Sequence, residues 1–143
     1  MAENEEFFSI NEDATYQIVI KKSKFIANVF YVESEEEAEN KIKQIKKKYY
    51  DAKHNCFAFS IIIQENKNEY KKCSDDGEPS GTAGLPILNI IEKRKLSNIV
   101  VIVTRYFGGI LLGTGGLTRA YSDATIGALE NAKIVKIESG KEL

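Results

Sequence analysis

Arg105 and Arg119 flank a run that carries five glycines, RYFGGILLGTGGLTRAY from Arg105 to Tyr121. Glycine is used where the backbone needs positive φ or where something must approach it closely. The run leads into a helix expected from Leu117, and a glycine-rich entry to a helix leaves amides unpaired, with partial positive charge facing outward. Those are the ingredients of an anion site. Two guanidiniums beside free amides suit phosphate or carboxylate. The candidates are Arg105, Gly108, Gly109, Gly113, Thr114, Gly115, Gly116, Thr118 and Arg119. The same residues also have a purely structural reading, in which glycines serve a tight strand-to-helix turn and Arg105 pairs with Asp75, Asp76 or Glu78.

Known nucleotide motifs do not fit this run. Gly108 to Gly113 has GxxxxG spacing, but Thr114-Gly115 follows where a phosphate loop needs Lys-Ser/Thr. A dinucleotide fingerprint starting at Gly113 fails at Thr118, which stands in the third glycine's place.

A second glycine-rich segment, SDDGEPSGTAGLP from Ser74 to Pro86, also runs into a helix. Its candidates are Asp75, Asp76, Glu78, Ser80 and Thr82. The carboxylates could hold Mg²⁺ with substrate phosphates, or act as general acids and bases. Asp75 and Asp76 could equally cap turns through side-chain-to-backbone bonds, which Asx residues readily make.

His54 and Cys56 share a strand face, so a Cys–His nucleophile pair is conceivable. Their Cα atoms would lie about 7 Å apart along a strand, and no third orienting residue is evident. A buried cysteine usually acts as a small apolar residue. No catalytic residue is assigned. With one histidine and two cysteines, neither in a CxxC pair, a Cys/His zinc site has too few ligands, and no metal or other cofactor is expected.

Six lysines and one acid lie between Lys41 and His54, and Lys21, Lys22 and Lys24 form a second basic group. The ordinary fate of such a run is a solvated helix face. Its functional alternative is contact with RNA phosphates or an acidic partner surface, through Lys46, Lys47, Lys48, Lys53 and His54.

These groups need a scaffold, and the pattern supplies one. Tyr16 to Ile20 and Phe25 to Val32 are rich in β-branched and aromatic residues, as strands are. Ser34 and Glu37 form a capping box, and Ala38, Ile42, Ile45 and Tyr49 make one apolar stripe on the helix that follows. Cys56 to Ile63 and Glu69 to Cys73 read as strands, and Leu85 to Lys95 as a second helix. The apolar run Ile99 to Val103 marks a strand covered on both faces or central in its sheet. A helix from Leu117 to Glu130 and a strand from Ile134 to Ile137 complete the order ββαββαβαβ, a two-layer α+β domain.

The length of 143 residues suits one domain, with residues 1–14 loosely held and 15–143 forming the globular unit. A net charge of −1 counts against wholesale wrapping of nucleic acid but permits a local basic patch. The acidic N-terminus lacks the form of a secretory signal, and no stretch approaches the roughly 18 apolar residues of a membrane span. A cytoplasmic protein with no membrane partner is expected.

SDDGEPSGTAGLP and RYFGGILLGTGGLTRAY, in this order, closely resemble the signature segments of the IMPACT/YigZ family. KSKFIA at Lys22 to Ala27 and AKHNCFAF at Ala52 to Phe59 are similar to its other motifs, and the likeness runs from about Tyr16 to Leu129. The resemblance implies an α+β two-layer sandwich, helices on one face of a mainly antiparallel sheet, similar to the fourth domain of elongation factor G and the second domain of a small-subunit ribosomal protein. It implies a non-enzymatic role in translation or its regulation, with RNA, the ribosome or a translation-associated protein as partner. Eukaryotic members regulate translation by competing for the activator of the amino-acid-starvation kinase, and ribosome or nucleic-acid binding by bacterial members is inferred from fold. The alternative is an enzyme that binds a phosphorylated small molecule or nucleotide with Mg²⁺ at the glycine loops. Bacterial members usually carry a second, ferredoxin-like domain after the first, and eukaryotic members an N-terminal RWD domain. Neither is expected within this sequence, which stops at Leu143.

Overall fold

The Ser34 hydroxyl accepts a bond from the Glu37 amide at 3.1 Å, and this cap starts helix α1, Glu35–Lys48. The Glu37 carboxylate reaches back to the Glu33 amide at 2.8 Å, one residue beyond the usual reciprocal box. Three glutamates in the first turn and three lysines in the last complement the helix dipole and give α1 an acidic end and a basic end.

The computed structural model describes residues 7–137. Five strands form an antiparallel sheet: β2 (Ala14–Ile20), β3 (Ser23–Tyr31), β4 (His54–Ile62), β5 (Glu69–Ser74) and β6 (Ile99–Tyr106), in the order β2-β3-β6-β4-β5. The apolar run at Ile99 is therefore the central strand. Its register sets Phe25 and His54 on either side of Arg105, and Ala27 and Cys56 on either side of Val103.

Alternate β6 residues feed two separate cores, which is why the run has no polar break. Ile99, Val101 and Val103 join Phe25, Ala27, Cys56 and Ala58 beneath α2 (Gly84–Lys93) and α3 (Gly113–Ala132). Val100 and Ile102 join Phe57, Phe59 and Ile61 beneath Ala38, Ile42 and Ile45 of α1. The α+β class and the antiparallel sheet agree with expectation, but the helices lie on both faces of the sheet rather than on one. The reason is local: β4 alternates apolar residues on both its sides, so each face must be covered.

The loosely held N-terminal segment also needs correction. Phe7–Ile10 is a strand, β1, which pairs antiparallel with β7 (Ile134–Ile137) in a separate two-stranded sheet. Phe8 exchanges bonds with the far loop, its amide donating to the Lys95 carbonyl at 2.9 Å and its carbonyl accepting from Ser97 at 2.8 Å. The apolar FFSI outweighs the acids that precede it. Residues 1–6 of that segment lie outside the described residues.

Candidate functional site

Arg105 is the penultimate residue of β6 and points under the first glycine segment, where its side chain is 10% exposed. Its Nε donates to Glu78 Oε2 at 2.6 Å and its Nη2 to Oε1 at 2.9 Å. Tyr121, fully buried on α3, donates its hydroxyl to Glu78 Oε2. Burial pushes the Glu78 carboxyl up, but the Arg105 and Tyr121 bonds and the guanidinium charge more than offset it, so it sits below its ordinary range. Burial pulls the Arg105 guanidinium down, and Glu78 more than restores it. Of the acids expected to meet Arg105, Glu78 is the one that does.

His54 and Cys56 face the same cluster from β4. His54 Nδ1 donates to the Asp76 carbonyl at 2.8 Å, and Nε2 lies 3.6 Å from Glu78 Oε1. Cys56 Sγ donates to the Asp75 carbonyl at 3.0 Å and lies 3.4 Å from Tyr121 Oη. Burial pushes the Cys56 thiol well up, so it is held as a thiol and not as a nucleophilic thiolate. His54 is buried, so it does not belong with the exposed lysines as partner surface. The sequence gives no sign that the Tyr121 hydroxyl would close this cluster, because its spacing from Leu117, Ala124 and Ala128 on α3 marks it as a core position.

The other acids of the first segment organise the loop. Asp75 accepts from the amides of Gly81, Ala83 and Gly84 at 2.9, 3.1 and 2.8 Å, and so closes the loop onto the start of α2. Burial raises the Asp75 carboxyl, and these three donors overcome it, leaving it below the ordinary value. Asp76 accepts from the Asn55 amide at 2.7 Å and approaches Lys46 at 3.8 Å. Thr82 turns its hydroxyl to the Pro79 carbonyl at 2.6 Å, and Ser80 is exposed. Asp75, Asp76 and Glu78 thus face three different sets of partners rather than one shared point.

The second glycine segment divides differently from expectation. Gly113 to Gly116 are the first turn of α3 and not a loop before it, so the helix begins four residues earlier than its apolar stripe suggested. Its N-cap, Leu112, has no side-chain acceptor. The amides of Gly113, Thr114 and Gly115 take no acceptor from the described residues. Gly108 is needed for contact: a Cβ there would lie 2.0 Å from the Lys22 carbonyl. Its amide donates to Ser23 Oγ at 3.1 Å. A cavity of about 220 Å³ opens between the two segments, lined by Glu78, Pro79, Arg105, Phe107, Leu111, Leu112, Gly113, Thr114 and Leu117. Arg119 and Thr118 are exposed on α3 and do not line it, so the two arginines do not converge there.

At this same end of the sheet the two basic groups meet. Lys24 Nζ lies 5.6 Å from the centre of the Tyr106 ring, and Tyr106 packs edge-to-face on Tyr49 at 6.3 Å. Lys48 Nζ is 5.4 Å from the Tyr49 ring centre. Lys46, Lys47, Lys48 and Lys53 are exposed, and Tyr50 is 84% exposed. Asp51 accepts from Tyr106 Oη at 2.7 Å, and Asp76 stands near Lys46.

The Impact N-terminal domain family matches residues 21–129, which take in both glycine segments and both lysine groups. The chain belongs to the IMPACT family. The IMPACT family member YvyE of Bacillus subtilis (strain 168) is 45% identical over 130 residues, covering 91% of this chain and 58% of that protein. A crystal structure described as a hypothetical protein superposes with a TM-score of 0.83 at 34% identity, over 93% of this chain and 64% of that one. The two-domain translational regulator Yih1 superposes with a TM-score of 0.51 at 25% identity, over 85% of this chain and 46% of that one. The chain therefore spans less than two thirds of the length of each of these proteins. Among the described residues no helix is long and apolar enough to cross a membrane.

Proposed function

We propose that this IMPACT domain is a non-enzymatic binding module of translation or its regulation, and that it holds RNA at the lysine–tyrosine end of its sheet. The observation that carries the reading is the meeting of Lys24 and Lys48, from two basic groups far apart in sequence, over the packed rings of Tyr106 and Tyr49. Basic residues interleaved with aromatic faces are what a polyanion with stacking bases requires. The modest net charge does not oppose this, because the acids of α1, Glu35, Glu36, Glu37 and Glu39, all lie in its N-terminal half, away from its lysine end. The likeness to Yih1, a translational regulator, supports translation as the setting.

The reading of a phosphorylated small molecule held with Mg²⁺ would draw on Asp75, Asp76 and Glu78. Their oxygens are taken by amides, Lys46, Arg105 and Tyr121, so the polyanion reading has the stronger support.

Titration of the protein with a structured RNA hairpin at several salt concentrations tests it. Affinity is expected to fall steeply with salt, the slope counting the phosphates neutralised. Binding that is absent, or indifferent to salt, refutes it.

A further inference from the structure

We propose that the cavity between the two glycine segments takes one unpaired nucleotide of the bound RNA, its base against Phe107 and its phosphate at the first turn of α3. The inference rests on the RNA reading above and adds what kind of RNA is preferred.

The cavity lies at the same end of the sheet as the basic groups but on its α3 face, since Arg105 and Tyr106 point to opposite sides of β6, and the strap after Phe107 rests on the Lys22 carbonyl through Gly108. The apolar side chains Phe107, Leu111, Leu112 and Leu117 make much of its wall, beside Glu78, Arg105 and Thr114. Phe107 is 46% exposed and Leu111 83%, which is costly surface unless a partner covers it. At about 220 Å³ the space admits a nucleobase and excludes a base pair. RNA readers commonly stack splayed-out bases on an aromatic side chain or an arginine plane. Arg105 sits 5.7 Å from the Phe107 ring centre and lines the cavity floor. It gives Nε and Nη2 to Glu78, so the guanidinium plane stands at the cavity with the charge of the pair already balanced.

A phosphate joined to that base has a place as well. The amides of Gly113 and Thr114, which line the cavity, and of Gly115 beyond them take no acceptor among the described residues. Gly115 is not in the left-handed region, and a Cβ there would meet nothing within 4 Å. Neither packing nor backbone conformation within the chain requires glycine at that position, whereas close approach of an external group would.

The test compares two RNA hairpins, one fully paired and one with a single bulged 2-aminopurine, binding to the protein and to Phe107→Ala and Leu111→Ser. The bulged hairpin is expected to bind about tenfold more tightly, as stacking of one base on an aromatic gives, with quenching of 2-aminopurine on binding. Phe107→Ala should abolish the quench and bring the bulged hairpin to the affinity of the paired one, which itself stays unchanged. Leu111→Ser, at an exposed position, should reduce the quench in a folded protein. Equal affinities with no change in fluorescence overturn this inference and leave the RNA reading standing. Absence of binding to either hairpin overturns both. Saturation of the cavity by free AMP that neither hairpin can displace also overturns it, in favour of a small-molecule pocket.

Discussion

Glu78 and Arg105 form a two-point contact, 2.6 Å and 2.9 Å, in which a loop carboxylate is buried against the end of the central strand. Because Tyr121 also donates to Glu78, the contact ties the first glycine segment to β6 and α3 at once. Removing one partner of a buried pair strands the other charge, which costs about 3–5 kcal/mol. Glu78→Ala and Arg105→Met are each expected to lose stability of that order in urea denaturation. The double variant Glu78→Met, Arg105→Met should recover a large part of the loss, because no charge is left buried. A double variant that loses the sum of the two single effects would contradict the pairing.

Asp75 makes stability depend on acid. Its carboxyl is held below its ordinary value in the folded protein, so the unfolded chain binds its proton first as pH falls. The stabilisation is therefore complete above the unfolded pKa of about 3.9 and is lost as pH drops through the lower folded value. Asp75→Asn should cost about 1 kcal/mol at pH 7, since an amide oxygen accepts the three N–H bonds more weakly than a carboxylate. The difference between the two proteins should shrink towards pH 3. Glu78 is shifted in the same direction, so Asp75→Asn should retain part of the acid sensitivity. Chemical denaturation at pH 7, 5 and 3 reads both effects.

How far these arrangements could be read in the sequence depends on how local they are. The Ser34 cap, the stripe Ala38, Ile42 and Ile45, and the alternation in β4 are set by neighbours within a few residues, and they appear where the pattern places them. The capping role of Asp75 was one of its two readings for the same reason. The pairing of His54 with Arg105 across the sheet was not legible, because register depends on where distant strands meet, and with it went the burial of His54. The meeting of Lys24 with Tyr49 through Tyr106 was hidden likewise. The start of α3 at Gly113 was missed because glycine is a poor helix former, and nothing local marks Leu112 as the residue before a first turn.

Two glycines of the same segment should respond in opposite ways to alanine. At Gly108 the added carbon would sit 2.0 Å from the Lys22 carbonyl, backbone against backbone, with no flexible side chain to yield. Gly108→Ala is expected to destabilise by at least about 1–3 kcal/mol, the usual cost of overpacking. At Gly115 the added carbon meets nothing within 4 Å and the backbone is already suited to an L residue. Gly115→Ala should therefore raise stability by about 0.5–1 kcal/mol through its higher helix propensity. Thermal denaturation of the two variants checks the contrast, and a destabilised Gly115→Ala would show that the first turn of α3 is packed more tightly than described.

The lysine end can be dissected one charge at a time. Lys24 and Lys48 each lie over a tyrosine ring in the pair Tyr106–Tyr49, and neither forms an ion pair among the described residues. Each is free to meet a phosphate, so Lys24→Gln and Lys48→Gln should each lower the salt slope of RNA binding by about one. Lys46 differs, because Asp76 stands 3.8 Å from it and already offsets part of its charge. Lys46→Gln should accordingly change the slope less than the other two. Lys72, bound to Glu39 at 3.3 Å on the edge strand β5, is the control. If Lys72→Gln weakens RNA binding as much as Lys24→Gln does, the attraction belongs to general charge and not to the surface built around Tyr106.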